Sequence, residues 1–281
     1  MIIRGSLPLL AVLVSCSQAP HSSPAQGPTD DGIRFQEDVI YGRVEGSALL
    51  ADVAQPAGEG PFPAIISLHG GRWVGGHRRD TSSIKPREWA QLGFFAMTID
   101  YRLARATPAP ACYQDMLCAI RYVRAHAAQY KVDPNRIFLI GQSAGGQMAS
   151  LLATLGEGPW KKAGGWNEES HDVRGVISVC APYELATLDW GKLWTPIGGD
   201  ADAARKEASP LLHVQATSKP LLILHSDDDK SVPIRQAVDM AEALKKAGAR
   251  HKFLHYTDKG HMQIVDYVVR ESVAFIKEVA P

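Results

Sequence analysis

The most constraining feature of this chain is an alternation of period. Six short β-branched runs, at 64–68, 94–100, 136–140, 175–179, 221–225 and 251–256, are separated by longer stretches in helical rhythm near 83–92, 111–130, 147–155, 233–247 and 262–279. Strands that take turns with helices build a mainly parallel sheet covered on both faces, because a parallel connection needs a crossover long enough to hold a helix. The segment 33–55 reads instead as two antiparallel strands ahead of that series. No internal repeat interrupts the order. The expectation is an α/β fold formed by one domain over 33–281, with its active loops at the carboxyl ends of the strands.

Residues 1–32 stand apart. Arg4 is the only charge before an apolar run at 7–14 that ends in Leu13-Val14-Ser15-Cys16. Eight apolar residues are too few to span a bilayer but enough for the core of a signal peptide. The tetrapeptide resembles a bacterial lipobox, which implies a leader over 1–15, a lipid anchor at Cys16 and an exported, envelope-attached protein. An ordinary cleaved signal is the competing reading. The Ser, Pro, Gln and Gly content of 17–32 suits a flexible tether.

Charge narrows the partners. Thirty basic and thirty acidic residues balance to zero, which leaves no excess to neutralise a phosphate backbone, so nucleic acid is not expected as the main partner. Three cysteines remain beyond Cys16, namely Cys112, Cys118 and Cys180. If Cys112 and Cys118 share a helix, about 9 Å of rise separates them, too far for a disulfide. Cys180 reads as a small buried strand residue.

The chemistry begins where the run 136–140 passes into Gly141-Gln142-Ser143-Ala144-Gly145-Gly146 and then into a helical pattern carrying Met148, Leu151 and Leu152. This is G-x-S-x-G in strand, turn and helix context. The pentapeptide alone recurs by chance about 0.1 times in a chain of this length, so the context gives it weight. A serine hydroxyl needs a base to take its proton and a carboxylate to hold that base in the right tautomer. Downstream, the run 221–225 ends in Ser226-Asp227-Asp228-Asp229, and Asp258-Lys259-Gly260-His261 follows the last run. Of ten histidines, His261 lies on a loop after both Ser143 and an acidic strand end. Three adjacent carboxylates do not all bury, so two of them are expected to be solvated.

Several segments in one order resemble the α/β-hydrolase esterases, in particular secreted bacterial feruloyl and acetyl-xylan esterases and the hormone-sensitive-lipase-like esterases. They are His69-Gly70-Gly71-Arg72-Trp73, Asp100-Tyr101-Arg102-Leu103, Asp115, Asp133-Pro134-Asn135-Arg136, the Ser143 elbow, Ser209-Pro210-Leu211, and a strand-terminal His225 followed by Asp229 and Val232-Pro233. The resemblance implies an α/β-hydrolase fold and a Ser-His-Asp triad of Ser143, His261 and Asp229. It also implies an oxyanion site from the N–H groups of Gly71, Arg72 and Ala144. Arg72 stands where the family carries a third glycine, and its side chain is read either as lying over the cleft or as forming a surface salt bridge. Ser226 replaces the usual glycine. Asp133-Pro134-Asn135 also reads as a turn, and Asp115 as a charge on a helix face.

Two insertions, at 156–173 with Trp160 and Trp166 and at 185–208 with Trp190 and Trp194, are expected to flank the cleft, with no large cap domain. Their tryptophans either wall the site or simply pack on the domain. A short-lidded site favours small acyl groups over long lipid chains. His69, His77 and His126 match no common ligand spacing, and no phosphate or dinucleotide loop is present, so neither metal nor cofactor is expected. The expected partner is a small or polysaccharide-linked ester, with the membrane reached only through Cys16. A peptidase or amidase of the same fold, and a silent lipid-anchored binding protein, remain as alternatives.

Overall fold

The computed structural model describes residues 32–196 and 198–281; the leader, Cys16 and all but the last residue of the tether lie outside them. Eight strands form one sheet in the order β1-β2-β4-β3-β5-β6-β7-β8. Strands β1 (Arg34–Val44) and β2 (Ser47–Gln55) make the expected antiparallel hairpin, and β2 pairs antiparallel with β4 (Phe95–Ile99). The remaining neighbours, β3 (Phe62–Leu68), β5 (Val132–Gln142), β6 (Gly175–Val179), β7 (Leu221–Ser226) and β8 (His251–Tyr256), run parallel.

Side-chain period explains the layers. Along β5, Ile137 and Leu139 enter one core while Phe138 and Ile140 enter the other. The first core is closed by α2 (Ala111–Ala125), α4 (Ala144–Leu155) and α6 (Arg235–Ala247), through Met116, Ile120, Met148, Leu151, Met240 and Leu244. The second is closed by α1 (Pro86–Gln91) and α7 (Asp266–Val279), through Trp89, Phe275 and Ile276. Strands β3, β4, β6 and β7 are almost wholly buried, as expected of parallel strands covered on both faces. The α/β-hydrolase arrangement expected from the sequence is therefore the one observed. Between β6 and β7 lie three 3₁₀ turns, Leu185–Thr187, Asp189–Leu193 and Pro210–His213, and the short α5 (Ala201–Glu207), with no cap domain among the described residues.

Several boundaries differ from expectation, each for a local reason. The stretch 111–130 divides at His126, which leaves helical geometry at ψ 16° and ties its ring Nδ1 to the Tyr122 carbonyl at 2.8 Å, so that α3 (Ala127–Tyr130) starts afresh. α7 begins at Asp266 because the Met262 backbone is already engaged. Its N–H meets the Cys180 sulfur at 3.3 Å, and its carbonyl accepts from Gln142 Nε2 at 3.1 Å. Asp133-Pro134-Asn135 lies within β5, yet keeps the local Asn135 N–H to Asp133 Oδ1 bond of a turn at 2.9 Å, where the register with β3 shifts. Asp115 is not a surface charge: it is fully buried and paired with Arg102 at 2.8 Å. Cys180 is buried but sits just beyond β6 with φ 47°, and Cys112 and Cys118 share α2 as separate thiols.

Candidate active site

The sharp turn after β5 is enforced by its glycines. A Cβ on Gly141 meets the Gly145 backbone at 2.3 Å, and one on Gly145 meets the Leu68 carbonyl at 2.2 Å. With those contacts open, Ser143 adopts φ 52°, ψ −116°, a conformation a residue with a Cβ holds only when its surroundings impose it. Its N–H donates to the Val179 carbonyl at 2.8 Å, which fixes the turn to β6. Ser143 thereby stands immediately before α4, nearly buried at the floor of a cleft of about 440 Å³.

Asp229 follows β7 and His261 follows β8, strands paired in register. His261 Nδ1 lies 2.7 Å from Asp229 Oδ2, so this nitrogen carries the hydrogen and Nε2 is left for the cleft. Asp229 is buried, and its other oxygen accepts the N–H groups of Ser231 at 2.8 Å and Val232 at 3.0 Å. Burial alone raises a carboxyl's pKa; here bonds from His225, His261 and the Val232 N–H outweigh it and hold Asp229 far below the ordinary carboxylate range. Ser143 and His261 line the same cleft, while their side chains make no hydrogen bond to each other in this structure. Such bonds are often loose before substrate arrives.

The loop after β3 forms the other wall. His69 is buried, stacks on Tyr101 at 4.0 Å and 9°, and bonds through Nδ1 to the Gly70 carbonyl at 2.6 Å. Burial lowers its pKa. A Cβ on Gly70 meets Gln142 Oε1 at 2.1 Å, and Gly71 lies at φ 112° where its Cβ meets the Gly75 carbonyl. The N–H groups of Gly71, Arg72 and Ala144 meet no acceptor among the described residues. Gly71 and Arg72 line the cleft with Ser143, and Ala144 opens α4, where free amides favour negative charge. Arg72 makes no salt bridge among the described residues; its guanidinium carbon lies 5.2 Å from the Trp190 ring centroid.

Four residues named in the sequence have roles in the site that the sequence reading did not assign. Asp228, exposed as expected, accepts the Gly260 N–H at 2.8 Å and the Lys259 N–H at 3.2 Å, binding the acid loop to the histidine loop. Ser226, in place of the family's glycine, donates to Asp228 at 2.6 Å. His225 Nε2 lies 3.4 Å from Asp229 Oδ2 and 2.9 Å from the Val232 carbonyl. Cys180, His225 and Asp229 bring three buried potential metal donors together. The carboxylate is committed to His261 and two amides, the sulfur to Met262 N–H and the His225 Nε2 to a carbonyl, so the cluster reads as a hydrogen-bonded support.

Among the described residues, the 185–208 insertion touches residues that line the cleft. Trp190 donates to the Ser231 carbonyl at 3.2 Å and tilts against Trp73, which meets Trp194 edge-on. The 156–173 segment packs elsewhere, with Trp160 on Tyr113 and Trp166 on His126. A larger cavity of about 820 Å³, floored by Ile84 and Trp89, adjoins the cleft across Thr81 and Gln263 but holds neither Ser143 nor His261.

Comparison with known proteins finds esterases of the same fold. The chain is 26% identical over 198 residues to the probable carboxylic ester hydrolase LipM of Mycobacterium tuberculosis, covering 66% of this chain and 46% of that protein. Among solved structures, the esterase 2 of Thermogutta terrifontis phosphonylated by sarin is 26% identical with a TM-score of 0.75, covering 90% of this chain and 98% of that one. A truncated carbohydrate esterase from gut microbiota, at 24% identity and a TM-score of 0.76 over 90% of this chain and 99% of that one, shares the fold. The chain spans about half the length of the curated relatives it matches. The match to BD-FAE runs over residues 51–244, about two thirds of the 281 residues, and the chain belongs to the BD-FAE family.

Proposed function

We propose that this protein is a serine carboxylic-ester hydrolase. Ser143 Oγ attacks the ester carbonyl while His261 Nε2 takes its proton, Asp229 holds the imidazole in the required tautomer, and the N–H groups of Gly71, Arg72 and Ala144 receive the tetrahedral oxyanion. His261 then returns the proton to the departing alcohol, and water activated by the same base releases the acid from Ser143. The observation that carries this reading is the 2.7 Å bond from His261 Nδ1 to Asp229, in a cleft that also presents Ser143 on its strained turn.

The substrates proposed are short-chain acyl esters and acetyl or feruloyl groups linked to carbohydrate. A cleft of about 440 Å³ with no cap domain among the described residues suits a small acyl group, and the names of LipM, the Thermogutta esterase and the gut carbohydrate esterase point the same way. Export and anchoring at Cys16 complete the proposal.

The deciding experiment follows p-nitrophenol release from the acetyl and butyryl esters by wild type and Ser143→Ala. Turnover that falls to background in the alanine variant is expected, with acetylated xylan and methyl ferulate as the next substrates. Equal activity in both proteins removes Ser143 as nucleophile; cleavage of a p-nitroanilide but not of the esters moves the assignment to an amidase.

A further inference from the structure

The residue that departs from the family pattern in the oxyanion loop has a stereochemical cost and no carboxylate partner among the described residues to offset it. Arg72 sits at φ 53°, next to Gly71 at 112° and Trp73 at 63°. A side chain in the left-handed region is strained by roughly 1 kcal/mol relative to glycine, and glycine at this position removes that strain. The guanidinium recovers nothing through a carboxylate, since it meets none among the described residues. It lies instead over Trp190, 5.2 Å from the ring centroid, at the rim of the cleft that holds Ser143.

That support is rigid. Trp190 is fixed through its indole N–H to the Ser231 carbonyl, packs on Trp73 at 5.6 Å, and Trp73 is fixed in turn by Nε1 to Gln147 Oε1 at 3.0 Å. An arginine above an aromatic face keeps its in-plane N–H donors free, in the fork geometry that matches a carboxylate bidentately. The other charged side chain lining the cleft besides His261 is Asp80, already taken up by His77, whose N–H and Nε2 lie 2.9 and 2.8 Å from its two oxygens. The uncommitted charge at the rim is thus cationic and oriented before any substrate arrives.

We propose that Arg72 on Trp190 forms a carboxylate-binding subsite, so that the preferred esters carry a second, ionised carboxyl group. This rests on the esterase reading above and deepens it. The carboxylate belongs either to the acyl part, as in a dicarboxylic half-ester, or to the alcohol part, as in an ester on an acid-bearing alcohol.

Two substrate pairs separate these sources. Mono-4-nitrophenyl glutarate is compared with its methyl ester, and 4-acetoxybenzoate with its methyl ester, using the full-length protein and Arg72→Gln. Within each enzyme the charged-to-neutral ratio of kcat/KM cancels any general loss from disturbing the loop. Wild type is expected to exceed Arg72→Gln in that ratio by at least about tenfold for one pair, chiefly through KM, because a charge-assisted pair contributes about a decade or more in affinity. The excess shrinks in 0.5 M salt. Ratios that agree between the two proteins for both pairs overturn the proposal while leaving the esterase reading intact. If wild type cleaves no ester, the esterase reading falls separately, and titration of glutarate against glutaramide by tryptophan fluorescence decides the subsite. Saturation by glutarate in wild type that disappears in Arg72→Gln upholds it, and indifference to the charge or to the variant overturns it.

Discussion

Asp228 Oδ1 accepts the N–H of Gly260 at 2.8 Å, so the residue before the proposed triad acid holds the residue before the proposed base. The same oxygen also lies 3.2 Å from Lys259 N and receives the Ser226 hydroxyl. The bonds from His225, His261, Val232 and Ser231 support Asp229 itself; Asp228 supports the loop that carries its partner. Replacing Asp228 by alanine is expected to let the His261 loop shift and to lower kcat by about tenfold, since small misplacements of a catalytic group are amplified in rate. KM stays within about twofold, because this loop positions the base more than it binds substrate. Steady-state kinetics on p-nitrophenyl acetate reads the split, and an equal effect on both parameters contradicts the positioning role.

Gly145 fails for a different reason if it acquires a methyl group. Its Cβ lies 2.2 Å from the Leu68 carbonyl and 2.7 Å from that of His69, both backbone atoms that do not rotate away. Gly145→Ala is expected to lose about 3 kcal/mol by overpacking, measured by urea denaturation, with activity lost through displacement of the loop proposed to receive the oxyanion. Gly156→Ala, where nothing stands within 4 Å but φ is 76°, is the comparison that suffers backbone strain alone.

These two cases show where sequence reasoning reaches and where it stops. The strand alternation and the glycines of the Ser143 turn are legible because period and steric exclusion act locally. The same holds for His261, marked by its position after the last strand. Asp228 is not separable from Asp227 and Asp229 on such grounds, since the three differ only in what the chain brings against them 32 residues later. Cys180 reads as strand because its neighbours are β-branched, yet it lies beyond β6, where its sulfur takes the Met262 N–H across 82 residues. Trp190 and Trp166 look alike in composition, and only the packing of their loops sends one against Arg72 at the cleft and the other to α2.

The Arg102–Asp115 pair gives a test with a pH signature. Burial raises the Asp115 carboxyl above the ordinary range despite the hydrogen bonds and charge of Arg102, which pull it down. Arg102→Gln removes the compensating charge and is expected to cost about 3–5 kcal/mol at pH 8, as for breaking a buried ion pair. In the variant the carboxyl takes up a proton more readily still. A raised native pKa means a contribution that is present below the unfolded value near 4 and is lost as pH rises through the native one. The deficit of Arg102→Gln is therefore smaller at pH 5 than at pH 8 in parallel urea titrations; a deficit independent of pH contradicts the assignment.

Asp229 runs the opposite way. Burial raises its pKa, but bonds from His225, His261 and Val232 N–H more than reverse this, so the native carboxyl titrates well below its unfolded value. A depressed acid stabilises the fold above the unfolded pKa of about 4 and loses that contribution as pH falls through the native pKa. Wild type is thus expected to be more stable than Asp229→Asn at pH 6, with the gap in Tm closing progressively below pH 4. The asparagine also presents an amide where His261 Nδ1–H needs an acceptor, and kcat is expected to fall by about 10³ to 10⁴ with KM little changed. A Tm gap that persists unchanged to pH 3, or a variant that keeps most of its kcat, removes Asp229 from the role of orienting His261.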